Sequence, residues 1–391
     1  MITRLQVRNF KSLKDIDLSL GPLNVLVGPN MSGKSNILDV LRFLREVFFP
    51  ESGTQGVSYA LTQRGGANEV LWKGGEEKLI TIVLEIVDEA KPIAKYRYSL
   101  ELIGGPGNFT TMQNESLKRL LPEREVELIL REQGNVNLLN ADGKVAGGIG
   151  QSGVSVMQYA SPGWDGYRFM QWVERWRSYH LVPPAMKEPS SMSLGEVLTP
   201  DGDNLSAYLM WLQTRSPESF GRINEVLHDL FPDVTQVKTI PGLDGKVHLG
   251  VTERGLRRPT NVWQTSDGFL MLTALLSLIY APPEHRTTLL CIEEPENYLH
   301  PRLLETVVAL LRQTRQEVVD SKISPAQVML TTQSPYLVNQ FSLDEIIWTE
   351  KRNGETKAYR PADKRHLKTL IENKELGLGD LMFTGALGEE E

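Results

Sequence analysis

The chain has 391 residues, 40% hydrophobic and 23% charged, with 42 basic and 49 acidic side chains and a formal net charge of −7. This mix describes a globular protein rather than a disordered, fibrous or membrane-embedded one. It argues against a surface coated in positive charge but leaves room for a local basic groove.

The first eight residues alternate like a strand and do not read as a signal peptide. After Asn9-Phe10-Lys11-Ser12-Leu13 come Ile16, Leu18 and Leu20, then the apolar strand 24–27. Ile37, Leu38, Leu41 and Leu44 recur at helical spacing, which predicts a helix from Gly33 to about Phe49, ended by Pro50. Residues 51–69 are polar and glycine-rich and read as a loop. The alternating runs 79–87 and 96–102 predict paired strands in a β-rich region reaching about residue 156, with turns at the glycine-dense stretch 143–153. An aromatic and basic helix is expected over 164–180, and two further helices at about 203–214 and 217–230. An apolar helix follows at 268–280. The buried strands 288–292 and 328–332, with a helix between them, form a parallel crossover, so the core is α/β. The apolar stretch 269–281 is interrupted by Thr273 and Ser277 and is too short to cross a bilayer. The single cysteine, Cys291, leaves no disulfide framework or cysteine-rich zinc site, and the histidines lack metal spacing. A soluble, cytoplasmic protein is expected, with no membrane partner.

The apolar strand runs into Gly28-Pro29-Asn30-Met31-Ser32-Gly33-Lys34-Ser35, the full G-x-x-x-x-G-K-S phosphate-loop pattern between a strand and a helix. Backbone N–H groups of such a loop turn inward around phosphate oxygens, and the helix N-terminus adds partial positive charge. Lys34 would reach the β- and γ-phosphates of ATP, and Ser35 would ligate Mg²⁺. Gly28, Asn30, Ser32, Gly33 and Asn36 complete the expected nucleotide cradle. Downstream, Leu289-Leu290-Cys291-Ile292 emerges into Glu293-Glu294-Pro295-Glu296. Glu293 would be the metal-side acid, directly or through a water, and Glu294 would orient or deprotonate the hydrolytic water. Ser266-Asp267-Gly268 stands at the start of the apolar helix, 27 residues before Glu293 (266 to 293), where a hydroxyl and backbone N–H groups can face an anion. The strand 328–332 leads to Gln333-Ser334-Pro335, where Gln333 either contacts the γ-phosphate or caps the next helix.

These motifs, in this order, resemble the RecF/SMC-like ATPases of the ABC class, which also form the ATPase half of OLD-family nucleases. The resemblance rests on Asn9-Phe10-Lys11-Ser12-Leu13, the loop 28–36, Ser266-Asp267-Gly268, Glu293-Glu294-Pro295-Glu296-Asn297 with Leu299-His300-Pro301, and Thr331-Thr332-Gln333-Ser334-Pro335. Asp201-Gly202-Asp203-Asn204-Leu205 and the ending 376–388 are similar to a compact bacterial branch. The resemblance implies an ABC/RecF-type P-loop NTPase head with a mixed sheet, a β-rich insertion and a helical lobe. Three segments are expected: 1–110 with the phosphate loop, 111–200 as a β-rich and helical insertion, and 201–391 with the signature, carboxylate strand and switch. It also implies a head-to-tail homodimer, with each ATP between the loop of one protomer and the 266–268 signature of the other. Asn297 and His300 would line that contact. Gln333 departs from the family's usual histidine and cannot carry a proton at neutral pH, which bears on the rate of hydrolysis. Gln63 and Gln158 are both candidates for the Q-loop glutamine.

Tyr159, Trp164, Tyr167, Arg168, Phe169, Trp172, Arg175, Trp176, Arg177 and Tyr179 crowd one region and either pack against a neighbouring lobe or contact a nucleic acid. Arg254, Arg257 and Arg258 form either a solvated hairpin or a phosphate contact. An ABC transporter subunit does not fit, because 233 residues separate Gly33 from Ser266 (33 to 266). A small-molecule kinase leaves the doubled glutamates and the signature without a task. An OLD-type nuclease domain is not expected in the roughly 50 residues after Phe341. The expected activity is a Mg-dependent ATPase acting on DNA or in a repair or anti-phage defence complex. The alternative is an ATPase that regulates a separate protein effector, a nuclease or toxin.

Overall fold

The computed structural model describes residues 1–50, 56–87, 95–105, 110–132, 135–149, 154–320, 326–361, 377–384 and 386–387. Residues 376, 385 and 388 of the family-like ending lie outside these, as do 150–153 of the glycine-dense stretch. The strands are β1 (Ile2–Phe10), β2 (Leu13–Ser19), β3 (Leu23–Val27), β4 (Leu79–Val87), β5 (Lys95–Gly104), β6 (Thr110–Leu120), β7 (Glu125–Glu127), β8 (Ile129–Glu132), β9 (Asn135–Leu139) and β10 (Val145–Ile149). They continue with β11 (Trp176–Tyr179), β12 (Ser190–Ser191), β13 (Val234–Pro241), β14 (Lys246–Glu253), β15 (Thr260–Asn261), β16 (Leu289–Glu293), β17 (Gln327–Thr332), β18 (Ile346–Arg352) and β19 (Glu355–Tyr359). The chain divides into two units: Met1–Trp176 with Thr288–Leu290 and Lys322–Glu391, and Arg177–Thr287 with Cys291–Ser321.

In the first unit, β3 lies at the heart of a mixed sheet of order β11-β16-β17-β3-β18-β19, which β16 enters through Leu289 and Leu290 and β11 through Trp176. Both neighbours of β3 run parallel to it, with Thr332 beside Val27 on one side and Trp348 beside Val27 on the other. All five β3 residues are buried, which is why the segment reads as an unbroken apolar run rather than an alternation. A second sheet, β2-β1-β4-β5-β6-β7, is antiparallel, and its alternating strands bury Ile80, Ile82, Leu84 and Ile86. The helix Lys34–Phe48 packs on this sheet through Phe48, whose ring meets Tyr98 edge-on at 5.1 Å. A small sheet, β10-β9-β8, completes the unit.

Two sequence expectations are corrected here. Residues 51–69 are not simply loop, because helices occupy Gly56–Thr62 and Ala67–Val70. Val57, Ala60 and Leu61 recur on one buried face despite the polar surroundings. Nor is 164–180 one helix: the helix covers Tyr167–Glu174, and Trp176 then begins β11. Trp172 and Trp176 still meet edge-on at 5.2 Å, across the helix–strand junction.

The second unit combines the helices Leu205–Arg215, Pro217–Leu230, Asp267–Ile279 and Pro301–Asp320 with the sheet β12-β14-β13, to which β15 adds. Every residue from Phe269 to Ile279 is buried, so the helix that opens with the signature is a core helix rather than an amphipathic one. Among the described residues no helix is long and apolar enough to cross a membrane.

Candidate nucleotide-binding site

Parallel strands that end together leave a crevice at their carboxyl edge, where open α/β sheets bind ligands. The β3 strand delivers Gly28 to that edge, and β17 delivers Gln333 one residue beyond Thr332. The first unit thus brings Gly28, Asn30, Ser32, Gly33, Lys34, Ser35, Asn36 and Gln333 to one end of one sheet. Lys34 is 95% buried, and its Nζ donates to the carbonyls of Gly28 (2.7 Å) and Pro29 (2.9 Å). The ammonium therefore sits in the mouth of the loop, on the Gly28 and Pro29 carbonyls. Gly33 caps the helix in the left-handed region (φ 105°) and supplies no side-chain cap to the N–H groups of the first turn. Asn30 and Ser35 are exposed. The exposed Ser35 hydroxyl is a hard oxygen donor that suits Mg²⁺, an ion usually held by one or two protein oxygens plus phosphate and water.

The loop is braced from residues more than 300 positions away. Ser32 is buried, and its Oγ lies 2.7 Å from Thr349 Oγ1, which also donates to the Val27 carbonyl at 3.1 Å. Thr356 Oγ1 donates to the Ser32 carbonyl (2.9 Å) and lies 2.7 Å from Ser12 Oγ, which accepts from Asn36 Nδ2 at 2.6 Å. A Cβ on Gly28 would collide with Thr349, and one on Gly33 with Thr356, so both glycines are required by close approach. Asn36 thus serves the brace, and Ser12, from the Asn9–Leu13 stretch that carries the resemblance, is its partner.

Behind the loop, Asp39 is 96% buried and accepts from Arg42 and Arg64, with Lys11 Nζ 2.7 Å away. Burial alone would raise its carboxyl, but the Arg64 hydrogen bonds and the Arg64, Arg42 and Lys11 charges hold it well below the ordinary range. This cluster fastens the helix Lys34–Phe48 to the segment after Gly56–Thr62.

The remaining candidates lie in the second unit. Ser266 is the N-cap of the helix Asp267–Ile279, its Oγ accepting from Phe269 N at 3.2 Å, and Asp267 pairs with Lys187 Nζ at 2.6 Å. Gly268 faces the Tyr298 carbonyl closely. Glu293 ends β16 half-buried. Glu294 is also half-buried, holds a left-handed backbone (φ 44°), and accepts from Asn297 Nδ2 at 3.0 Å. Backbone strain of this kind at a non-glycine residue persists only where surroundings enforce it, and it clusters at functional sites. Tyr298, four residues on, is left-handed too (φ 74°).

Ser334, not Gln333, caps the helix Pro335–Val338, accepting from Leu337 N at 3.4 Å. Gln158 Nε2 donates to the Val47 carbonyl at 2.8 Å, and Gln63 is exposed beyond the helix Gly56–Thr62. Trp164, Phe169, Trp176 and Tyr179 are buried, so most of the aromatic cluster is packing. Arg254, Arg257 and Arg258 are exposed in the β14–β15 connection. Cys291 is buried, and burial pushes its thiol up to about 12.

A family model described as "AAA domain, putative AbiEii toxin, Type IV TA system" matches residues 23–339. Among characterised proteins, an OLD nuclease of Thermus scotoductus is 63% identical over 38 residues, a match spanning 10% of this chain and only 7% of that protein's length. Among solved structures, an SMC head bound to the C-terminal winged-helix domain of ScpA covers 92% of this chain and 96% of its own, with 16% identity and a TM-score of 0.54. The Pyrococcus furiosus Smc head domain, with an extended coiled coil and bound to the C-terminal domain of ScpA, covers 95% and 99%, with 13% identity and a TM-score of 0.50. At such identities the likeness is one of fold, and that fold is the SMC-head, ABC-type ATPase head expected from the motifs.

Proposed function

The chain belongs to this AAA-domain, AbiEii-type family, and from that premise we propose that it binds and hydrolyses Mg-ATP as a head-to-tail homodimer. The observation that carries the reading is the loop 28–36 with Lys34 seated on the Gly28 and Pro29 carbonyls. A triphosphate brings full negative charge to that ammonium where carbonyls bring only dipoles, and opposite charges at contact distance attract strongly in a partly buried site. Mg²⁺ would be held by Ser35, the phosphates and Glu293, and would neutralise charge between the β- and γ-phosphates. Glu294, oriented by Asn297, takes the proton of the attacking water. Gln333 donates a hydrogen bond to the γ-phosphate without moving a proton, so hydrolysis is slow and the ATP-closed state long-lived. Ser266 and Gly268 complete the site of the other protomer.

Action on DNA, in repair or anti-phage defence, is the first reading of what the cycle drives, supported by the SMC-like fold and the OLD match. Regulation of a separate effector is favoured by a specific observation, the toxin–antitoxin wording of the family description. One experiment separates them: ATP turnover with and without duplex, single-stranded and end-bearing DNA, read beside solution mass. Stimulation by DNA supports the first. Turnover that ignores every DNA supports the second. No turnover and no ATP-dependent change of mass contradict both.

A further inference from the structure

The strand β17 ends at Thr332 and the helix Pro335–Val338 follows, so Gln333 lies between a buried sheet strand and a single helical turn. Ser334 N donates to Thr332 Oγ1 at 2.9 Å, and Ser334 Oγ caps the turn by accepting from Leu337 N. Four residues make too short a helix to stand on its own hydrogen bonds, so its neighbours decide where it sits. One neighbour comes from the far end of the chain. The helix Leu378–Thr384 buries Leu378 and Leu381, and Leu387 is buried just beyond it. Its first turn is seated on the segment 335–339. Gly379 N donates to Asn339 Oδ1 at 2.7 Å, so the Asn339 amide satisfies an N–H that the helix itself leaves open. Gly377 N is met in turn by Asp380 Oδ2 at 2.9 Å. A Cβ at position 379 would stand 2.8 Å from the carbonyl oxygen of Pro335, only two residues from Gln333.

We propose that the segment 377–387 is a strap that sets Gln333 against the γ-phosphate, with Gly379 and Asn339 as positioning residues. This rests on the ATPase reading of the loop 28–36 and of Gln333. The strap holds the short helix at its first residue, and a shift there passes through Ser334 to Gln333. The seat is made on 335–339 rather than on the loop that grips the phosphates. Turnover and ATP affinity should therefore respond to it separately.

Both halves can be read in the full chain. Gly379→Ala places a methyl group against the Pro335 carbonyl, and Asn339→Ala removes the acceptor without adding an atom. Each should lower kcat about tenfold to a hundredfold, the range for one hydrogen bond to a charged group, with ATP affinity by calorimetry within about twofold of wild type. In a Gln333→Ala background, Gly379→Ala should bring no further fall, because a strap that acts through Gln333 then has nothing left to position. Phe383→Ala, on the exposed side of the same helix, should leave turnover unchanged. Wild-type kcat in either Gly379→Ala or Asn339→Ala overturns the strap. A fall that multiplies in full with Gln333→Ala overturns it too, as does a loss of ATP affinity in parallel with turnover, since either marks general packing. Wild-type protein that binds ATP without turning it over contradicts the ATPase reading itself, a separate result that also removes the strap's task.

Discussion

A Cβ added to Gly268 would lie 2.6 Å from the carbonyl oxygen of Tyr298. The start of the signature helix and the turn that follows the carboxylate strand are therefore fitted to each other. Gly268→Ala must push one of them away, at a cost of about 1–3 kcal/mol for overpacking. The expected outcome is a melting temperature lowered by a few degrees and a loss of ATP-dependent dimer. Unchanged melting and unchanged mass would mean that the contact yields freely.

Glu294→Gln keeps the size and the Asn297 hydrogen bond but removes the carboxylate that receives a proton. Turnover should fall about 10²–10⁴-fold with ATP affinity retained. Single-turnover hydrolysis and calorimetry check the two halves separately. Full turnover in the variant would move the role to Glu293 or Glu296.

Gln333→His tests the slow switch. Imidazole, with an ordinary pKa near 6.5, both hydrogen-bonds and moves protons, so basal hydrolysis should rise toward the usual range of about 1–10³ s⁻¹. Steady-state rates and dimer lifetime after ATP removal report it. Because Ser334 already caps the next helix, a change confined to stability is not expected. Identical rates in Gln333→His, Gln333→Ala and wild type would withdraw the slow-switch reading.

Asp39 ties the loop helix to Arg64, and its folded carboxyl titrates below the ordinary value of 3.8. Its contribution is therefore fully present above about pH 4 and fades only as pH falls further, toward the depressed folded value. Asp39→Asn removes the negative charge that faces Arg64, Arg42 and Lys11 while Arg64 keeps Glu46, which should cost about 1–3 kcal/mol near neutrality. Denaturant melts of wild type and variant between pH 7 and pH 3 should show the gap shrinking below pH 4. A gap independent of pH would contradict an ionised Asp39.

The phosphate loop was legible because its pattern sits between an apolar strand and a helical periodicity, and both flanks formed where expected. The strand before Glu293 and the core helix after Ser266 were legible for the same reason, as unbroken apolar runs. What braces the loop was not legible. Thr349 and Thr356 converge on Ser32 from the far end of the chain, with Ser12 joined to Thr356, and threonine hydroxyls of that kind carry no local signature. The Asp39–Arg64 pair spans 25 residues and leaves no periodic trace. The helix Gly56–Thr62 was hidden by its glycine and serine. The strand at Trp176 was masked because an i,i+4 pair of tryptophans imitates a helix face.

The most direct measurement is activity of a mixture. Lys34→Ala disables a protomer's own loop, and Ser266→Arg disables the signature it would lend to its partner, so each variant alone should be inactive. Mixed in equal amounts, heterodimers carry one intact loop facing one intact signature, and about a quarter of wild-type ATPase should return, since half of the dimers have one of two sites. Inactivity of the mixture, with heterodimers demonstrated by mass, would contradict a shared ATP site.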